Sequence, residues 1–335
     1  MNNFIICDIL YIEKEKGETM NYYLGLDVGG TAVKMGLFND CDVLLEKVCF
    51  PTRTIEYLVD DIYQNIKALF DKNNLSLDDL KGIGIGFPGH VDGQSGIVVY
   101  SNNLVAHNFD IVGKLKEKIN TYIRISNDAN VAALGEYHFG KGKELQNIVF
   151  VTLGTGVGGG IIVDGKMLEG KNGAGAEIGH MVISTNGHLC SCGRRGCFET
   201  YASATALIRN ARVAMINNPT SILWEIAKSP EKLDGIAFFE ALERNDKVAT
   251  IIFEQYIEDL ADGLTNLANI FRPDALILGG GISHRGDVLM EPLQQRLEKM
   301  IYGGQWNARV ELMISSLKND AGIYGGYAMC AKHQK

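Results

Sequence analysis

No stretch of this 335-residue chain reaches eighteen consecutive apolar residues, so nothing in it reads as a membrane span. A basic excess is missing as well. The 32 lysines and arginines face 40 aspartates and glutamates, a net charge of −8, which argues against nucleic acid or an anionic membrane as the main partner. The P-loop pattern G-x-x-x-x-G-K-[ST] does not occur, and that class of nucleotide-binding enzyme is excluded with it. The cysteines number seven. An odd set, three of them clustered near a histidine, does not read as a disulfide framework and suits a reducing cytoplasm. The opening MNNFIICDILYIEKEKGET has no basic leader or small-residue cleavage site, and its short apolar part carries Asp8. It is not a signal peptide by pattern. We read residues 1–20 as a dispensable extension ending at Met20, too short for a DNA-binding helix-turn-helix domain.

What the chain has in quantity is glycine, 39 residues against 6 prolines, much of it in short clusters where backbone turns with positive φ or approaches something closely. Around those clusters the apolar pattern alternates between strand and helix periods. YYLGLDVGGTAVKMGLFN reads as a hairpin turning at Gly29-Gly30. Ile55, Leu58, Val59, Ile62, Ile66 and Leu69 repeat at helical spacing. LKGIGIGFPGHVD is a buried strand entering a Pro-Gly turn, and YIRISNDANVAALGEYHFG is a strand, a polar turn and a helix capped near Asn127 or Asp128. NIVFVTLGTGVGGGIIVDGKML repeats the opening hairpin; helices follow over 203–217 and 248–271, and DALILGGGIS is a strand ending in three glycines. Two similar halves, each opening with a glycine-turn hairpin, predict a two-lobed α/β protein with its ligand in the cleft between lobes.

Four residues stand out as metal ligands. His180, Cys190, Cys192 and Cys197 fall within eighteen positions, a complete tetrahedral Cys3His set for Zn2+. With four protein ligands no position stays open, so such a zinc is structural. It would fix Glu177, His180 and Glu199 in place. A zinc-bound His180 uses one ring nitrogen for the metal and leaves the other as a donor, unless its role is that of ligand alone.

Three glycine clusters are candidates for gripping a nucleotide. Asp27, Gly29, Gly30, Thr31 and Lys34 make up the first; backbone N–H groups in such a turn form an anion nest, and Asp27 could hold a Mg2+-bound water. An ordinary hairpin turn would look the same. Gly154, Thr155 and Gly156 begin the second. Gly154, Gly156 and Gly159 satisfy G-x-G-x-x-G, but a dinucleotide site requires a helix next, and Ile161-Ile162-Val163-Asp164-Gly165 reads as a strand and turn instead. Gly279, Gly280 and Gly281 form the third, where a flat group such as adenine could lie. Asp128 is the candidate base, because a positioned aspartate can accept the proton of an attacking alcohol; the competing reading is a plain helix N-cap.

Taken in order, LGLDVGGTAVKMG, GFPGHVD, SNDANVAALGE, LGTGVGGG, GAGAEIGH, CSCGRRGCFET and LILGGG resemble the ROK (repressor, open reading frame, kinase) family of sugar kinases, from about Tyr22 to the C-terminus. The resemblance implies an actin-like, ribonuclease-H-like ATPase fold. It implies ATP-dependent phosphorylation of a hexose, usually at O6, with Asp128 as base. It implies sugar contacts from Gly89, Asn103, Asn127, Asp128, Glu177, His180 and Glu199, zinc on His180, Cys190, Cys192 and Cys197, and a homodimer. The expected lobes are 21–123 plus about 317–335, and 124–316 with the zinc segment 180–197. Two departures, SNNL at the sugar loop and Lys171-Asn172 ahead of GAGAEIGH, bear on the sugar's identity; glucose and N-acetylmannosamine head the candidates. A sugar-responsive regulator of the same family is the alternative, disfavoured by the short leader. A glycosidase pairing Asp128 with Glu177 leaves the glycine turns unexplained.

Overall fold

The computed structural model describes residues 20–332; the expected extension falls outside the described residues except for Met20. The first half contains β1 (Tyr22–Val28), β2 (Ala32–Asn39), β3 (Leu44–Pro51), α1 (Ile55–Lys72), β4 (Leu80–Phe87), β5 (His90–Asp92), β6 (Ile97–Ser101), β7 (Ala106–Asp110), α2 (Ile111–Lys116) and β8 (Tyr122–Asn127). The second half opens with α3 (Asp128–Phe139), β9 (Ile148–Leu153), β10 (Val157–Val163) and β11 (Lys166–Met167). Helices α4 (Glu199–Ala202), α5 (Ala204–Asn217), α6 (Leu223–Ala227), α7 (Gly235–Glu243) and α8 (Lys247–Phe271) follow. The chain ends with β12 (Ala275–Gly279), α9 (Asp287–Met300), β13 (Glu311–Ile314) and α10 (Ala321–Ala331).

The two halves repeat one topology. The first sheet runs β3-β2-β1-β4-β8 and the second β11-β10-β9-β12-β13. In each, an antiparallel hairpin is extended by parallel strands on one side. The Gly154–Gly156 turn leads into β10, which pairs antiparallel with β9, so no helix follows the G-x-G-x-x-G pattern. The expected lobe division at 123/124 needs correcting. All six residues of β8 pair with β4 in the first sheet, so the division belongs after Asn127, where the strand ends and α3 begins.

Each lobe has its own core. The expected face of α1 is inside, with Leu58, Val59, Ile62, Ile66, Leu69 and Phe70 buried; at about 1.5–3 kcal/mol per buried large aliphatic or aromatic side chain, that face accounts for the helix. In the second lobe α8 buries Phe253, Ile257, Leu260, Leu264 and Leu267. The lobes are joined by α3 and α10, which cross at backbone contact. A Cβ at Gly325 would come 1.6 Å from the Val131 carbonyl oxygen, and one at Gly135 would come 2.2 Å from that of Ala321. On its other side α10 presses on the first sheet, where Gly25 and Gly84 leave room for the Ile323 and Gly326 carbonyls. The small residues of AGIYGGYAM are there because side chains would not fit.

Two effects compete at Gly325. Alanine favours a helix over glycine by about 1 kcal/mol, but forcing a methyl into a closed contact costs more. We expect Gly325→Ala to destabilise the protein by about 2 kcal/mol net, read from urea unfolding midpoints at unchanged m-value.

Candidate active site

Between the lobes lies a cleft of about 420 Å³ lined by Asp27, Lys34, Gly89, Asn103, Asp128, Gly154, Thr155, Gly156, Glu199 and Gly280 among others. Ten residues singled out in the sequence thus meet at one cavity, drawn from seven stretches of the chain.

Asp128 occupies its place because Asn127 does the capping. The Asn127 Oδ1 accepts from the Ala129 and Asn130 N–H groups at 2.9 and 3.3 Å, and its Nδ2 donates to the Gly89 carbonyl at 3.0 Å. Asp128 is therefore the first helical residue, and the plain N-cap reading of Asp128 falls away. One of its oxygens accepts from Ala129 N–H at 2.9 Å. Burial chiefly, then the nearby Asp27 carboxylate and more weakly Glu177, push the Asp128 carboxyl up to about 6, against the pull of the Ala129 amide. A carboxylate poised there is matched to proton transfer near neutral pH.

Across the first hairpin Asp27 pairs with Lys34, Oδ2 to Nζ 3.2 Å. Gly322 gives that carboxylate its space, since a Cβ there would stand 2.8 Å from the Asp27 Cβ. The turn itself contributes less than its sequence promised. Gly29 N–H is spent on the Ala32 carbonyl at 2.9 Å, and Thr31 carbonyl accepts from Thr52 N–H at 3.0 Å. Gly29 and Thr31 do not line the cleft; Gly30 lines a neighbouring hollow of about 650 Å³ that also touches Asn103.

The second turn is held from three sides. Gly154 N–H donates to the Gly156 carbonyl at 3.0 Å, and the Gly154 carbonyl accepts from Ala204 N–H at 2.9 Å. Thr205 Oγ1 donates to the Thr155 carbonyl at 2.8 Å. Val157 N–H reaches Glu199 Oε2 at 3.1 Å, and Gly158 N–H reaches Thr152 Oγ1 at 3.1 Å. The amides that remain to meet an anion are those of Thr155 and Gly156. Gly156 must be glycine, because a Cβ would fall 2.2 Å from the Glu199 carboxylate. In the third cluster Gly280, at φ 84°, leans on the Leu153 backbone and lines the cleft, whereas Gly279 and Gly281 do not.

Glu177 and His180 do not share an α-helical face. Ile178–His180 is a single 3₁₀ turn with Glu177 at its N-cap, where residues three apart lie nearly above one another. Glu177, His180 and Asn127 stand outside the cavity lining, though Glu177 is near enough to raise the Asp128 carboxyl. The donor atoms of His180, Cys190, Cys192 and Cys197 all lie within 4.8 Å of one another. His180 Nδ1 is 3.5 Å from Cys190 Sγ, and the Cys192 and Cys197 sulfurs are 3.6 Å apart. Edges of a zinc tetrahedron with 2.3 Å Zn–S bonds measure about 3.6–3.8 Å, so the four groups fit such an ion. Since Nδ1 faces the sulfurs, Nε2 is the nitrogen left over.

The cleft also holds residues that sequence reasoning missed: Pro88, Phe150, Thr152, Lys318, Asn319 and Gly322. Lys318 and Asn319 follow β13 directly, and ligand sites collect beyond the carboxyl ends of parallel strands; that was the available signal.

A two-lobed α/β molecule of the actin-like kind, with carboxylates and glycine turns facing one cleft, has the build of a phosphotransferase. Residues 23–333 match the model of the ROK family, and the chain belongs to that family. It is 36% identical over 306 residues to a glucokinase of Thermotoga maritima, covering 90% of this chain and 95% of that one. It is 28% identical to a xylose repressor of Caldicellulosiruptor bescii, covering 96% of this chain and 80% of the repressor. The structure of a ROK family glucokinase from Streptomyces griseus in complex with glucose and AMPPNP superimposes with a TM-score of 0.80 at 30% identity, over 94% of this chain and all of that one. The protein is a sugar kinase that uses ATP. Among the described residues no helix is long and apolar enough to cross a membrane.

The raised Asp128 carboxyl has a consequence for stability. Its ordinary unfolded value is about 3.9, so between pH 4 and 6 the unfolded chain ionises while the fold keeps its proton, and ionisation disfavours the fold increasingly as pH rises. Below about pH 4 both states are protonated and the penalty vanishes. We expect Asp128→Asn to overtake wild type in urea midpoint as pH is raised from 4 to 7, the gap opening around pH 4–6.

Proposed function

We propose that the chain transfers the γ-phosphoryl group of ATP to the 6-hydroxyl of a hexose, glucose first and N-acetylmannosamine second, with Asp128 as general base. The observation that carries this is the Asp128 carboxylate, freed from capping by Asn127, poised near pH 6 and facing the cavity that Asp27, Lys34 and the Gly154–Gly156 turn also face. The primary hydroxyl loses its proton to Asp128 as the phosphoryl group arrives. Negative charge on the transferring group meets the Lys34 ammonium and the amides of Thr155 and Gly156. Asp27 would be the residue to hold magnesium, and the ion, when bound, would supply neutralisation of phosphate charge. Gly89, Asn103, Asn127, Glu177, His180 and Glu199 orient the sugar in this reading, Asn127 indirectly through its bond to the Gly89 carbonyl.

Zinc on His180, Cys190, Cys192 and Cys197 fits the donor set and would brace the Glu177–His180 turn and Glu199 from one anchor. Burial and the neighbouring thiols push the Cys197 thiol up to about 12, so holding it as a thiolate would take a cation beside it, as bound zinc would supply. Glucose is supported by the glucokinase relatives and by the glucose-bound structure of the Streptomyces griseus enzyme. The homodimer belongs to the same reading, on family grounds alone.

Three experiments test this. Asp128→Asn should lower kcat by about a thousandfold, within the range for removing a positioned acid–base group, while glucose binding by calorimetry persists; near-normal turnover ends the base assignment. Chelation, or Cys192→Ser, should lower the melting temperature and the sugar affinity together, because metal binding contributes folding free energy. An unchanged melting temperature in a metal-depleted sample would count against the zinc. A panel of hexoses and N-acetylhexosamines scored by sugar-dependent ADP release decides the acceptor.

A further inference from the structure

The chain passes between the lobes twice, once through α3 and once through the connector 315–320 that joins β13 to α10, and the two passages meet at a single buried side chain. Glu136, two turns beyond Asp128 on α3, is fully buried. Its carboxylate accepts four hydrogen bonds from neutral groups. On Oε1 these come from Ser315 Oγ at 2.6 Å and Leu317 N–H at 2.8 Å. On Oε2 they come from Lys141 N–H at 2.9 Å and Ser316 Oγ at 3.3 Å. Gly140 leaves the space this requires, since a Cβ there would lie 2.0 Å from Oε2.

The connector so held runs straight into the active-site cleft. Ser315 Oγ, besides donating to Glu136, accepts from Lys318 N–H at 3.1 Å. Lys318 is kept at φ 53°, a left-handed conformation that a lysine adopts only where its surroundings impose it. Lys318 and Asn319 line the cleft, and the Asn319 carbonyl accepts from Lys34 Nζ at 3.2 Å. Lys34 in turn pairs with Asp27. A continuous set of bonds thus leads from the helix that presents Asp128 to the cation on the opposite wall.

We infer that Glu136 is a positioning residue for phosphoryl transfer: it locks the 315–319 connector against the Asp128 helix and so sets the distance between the base and the nucleotide-gripping wall. The inference rests on the sugar kinase reading. Glu136 touches no substrate; it acts through Ser315, Lys318, Asn319 and Lys34.

The test uses Glu136→Gln and Ser315→Ala, with Ser315→Thr as the variant that keeps the hydroxyl. Glutamine preserves size but turns an NH2 toward one of two backbone donors, Leu317 or Lys141, that the carboxylate served together. Ser315→Ala cuts the link to Lys318 and leaves Glu136 in place. Calorimetry with AMPPNP and magnesium, and separately with glucose, is run well below each melting temperature. We expect the AMPPNP Kd to rise on the order of tenfold in Glu136→Gln, less in Ser315→Ala, and to return toward wild type in Ser315→Thr, with the glucose Kd held within about twofold throughout. A lower melting temperature with both affinities intact, or both affinities falling alike, overturns the inference. Should Glu136→Gln fail to fold, Ser315→Ala decides alone, an unchanged AMPPNP Kd being the contrary result. A wild-type protein that bound neither AMPPNP nor glucose would overturn the kinase reading itself, and the inference with it.

Discussion

The two hydrogen bonds that Asn127 accepts at the start of α3 are the constraint on which the site depends. Helix starts leave backbone N–H groups to be satisfied, and an aspartate is as good a cap as an asparagine. Had Asp128 taken that duty, its carboxylate would have been committed to the helix. With Asn127 in the position, and its amide nitrogen bonded to the Gly89 carbonyl, the next residue keeps a carboxylate oxygen for chemistry. The same side chain also ties the Pro-Gly turn after β4 to the helix.

The rest of the molecule fixes what surrounds that carboxylate. Helices α3 and α10 cross so closely that only glycine fits at their contact, which leaves little freedom in the angle at which α3 enters the cleft. Glu199 links two further parts, since its carboxylate holds Val157 N–H of the second glycine turn while its backbone follows Cys197. The segment bearing the candidate metal ligands and the glycine turn that lines the cleft therefore share one side chain. Gly156 is small for that carboxylate, and the anion-nest role read from the sequence describes only part of its purpose.

Much of this was legible in the sequence because the signals were local. Glycine-turn hairpins, the periodic face of α1 and the Cys3His spacing each depend on residues near one another in the chain, and the ordered motifs placed Asp27, Asp128, Gly154 and Gly280 in one cleft before any coordinates. What escaped depended on long-range packing. Whether Asn127 or Asp128 capped α3 could not be read from two adjacent residues that both cap well. That β8 belongs to the first sheet follows from its pairing with β4. Gly29 has the setting of a phosphate ligand, but its N–H is bonded to the Ala32 carbonyl, and Lys318 and Asn319 carry no motif at all, entering the cleft on a connector whose Ser316 bonds Glu136 and whose Asn319 carbonyl accepts from Lys34, partners 180 and 285 residues away in sequence.

The central claim is that Asp128, and no other carboxylate of the cleft, faces the hydroxyl that is phosphorylated. A crystal structure of the protein with glucose and AMPPNP tests it most directly. The account predicts an Asp128 carboxylate oxygen at hydrogen-bond distance, about 2.6–3.2 Å, from the sugar 6-hydroxyl, with that hydroxyl turned toward the γ-phosphate. A 6-hydroxyl held instead by Asp27 or Glu199, with Asp128 turned back onto its own helix, would contradict it.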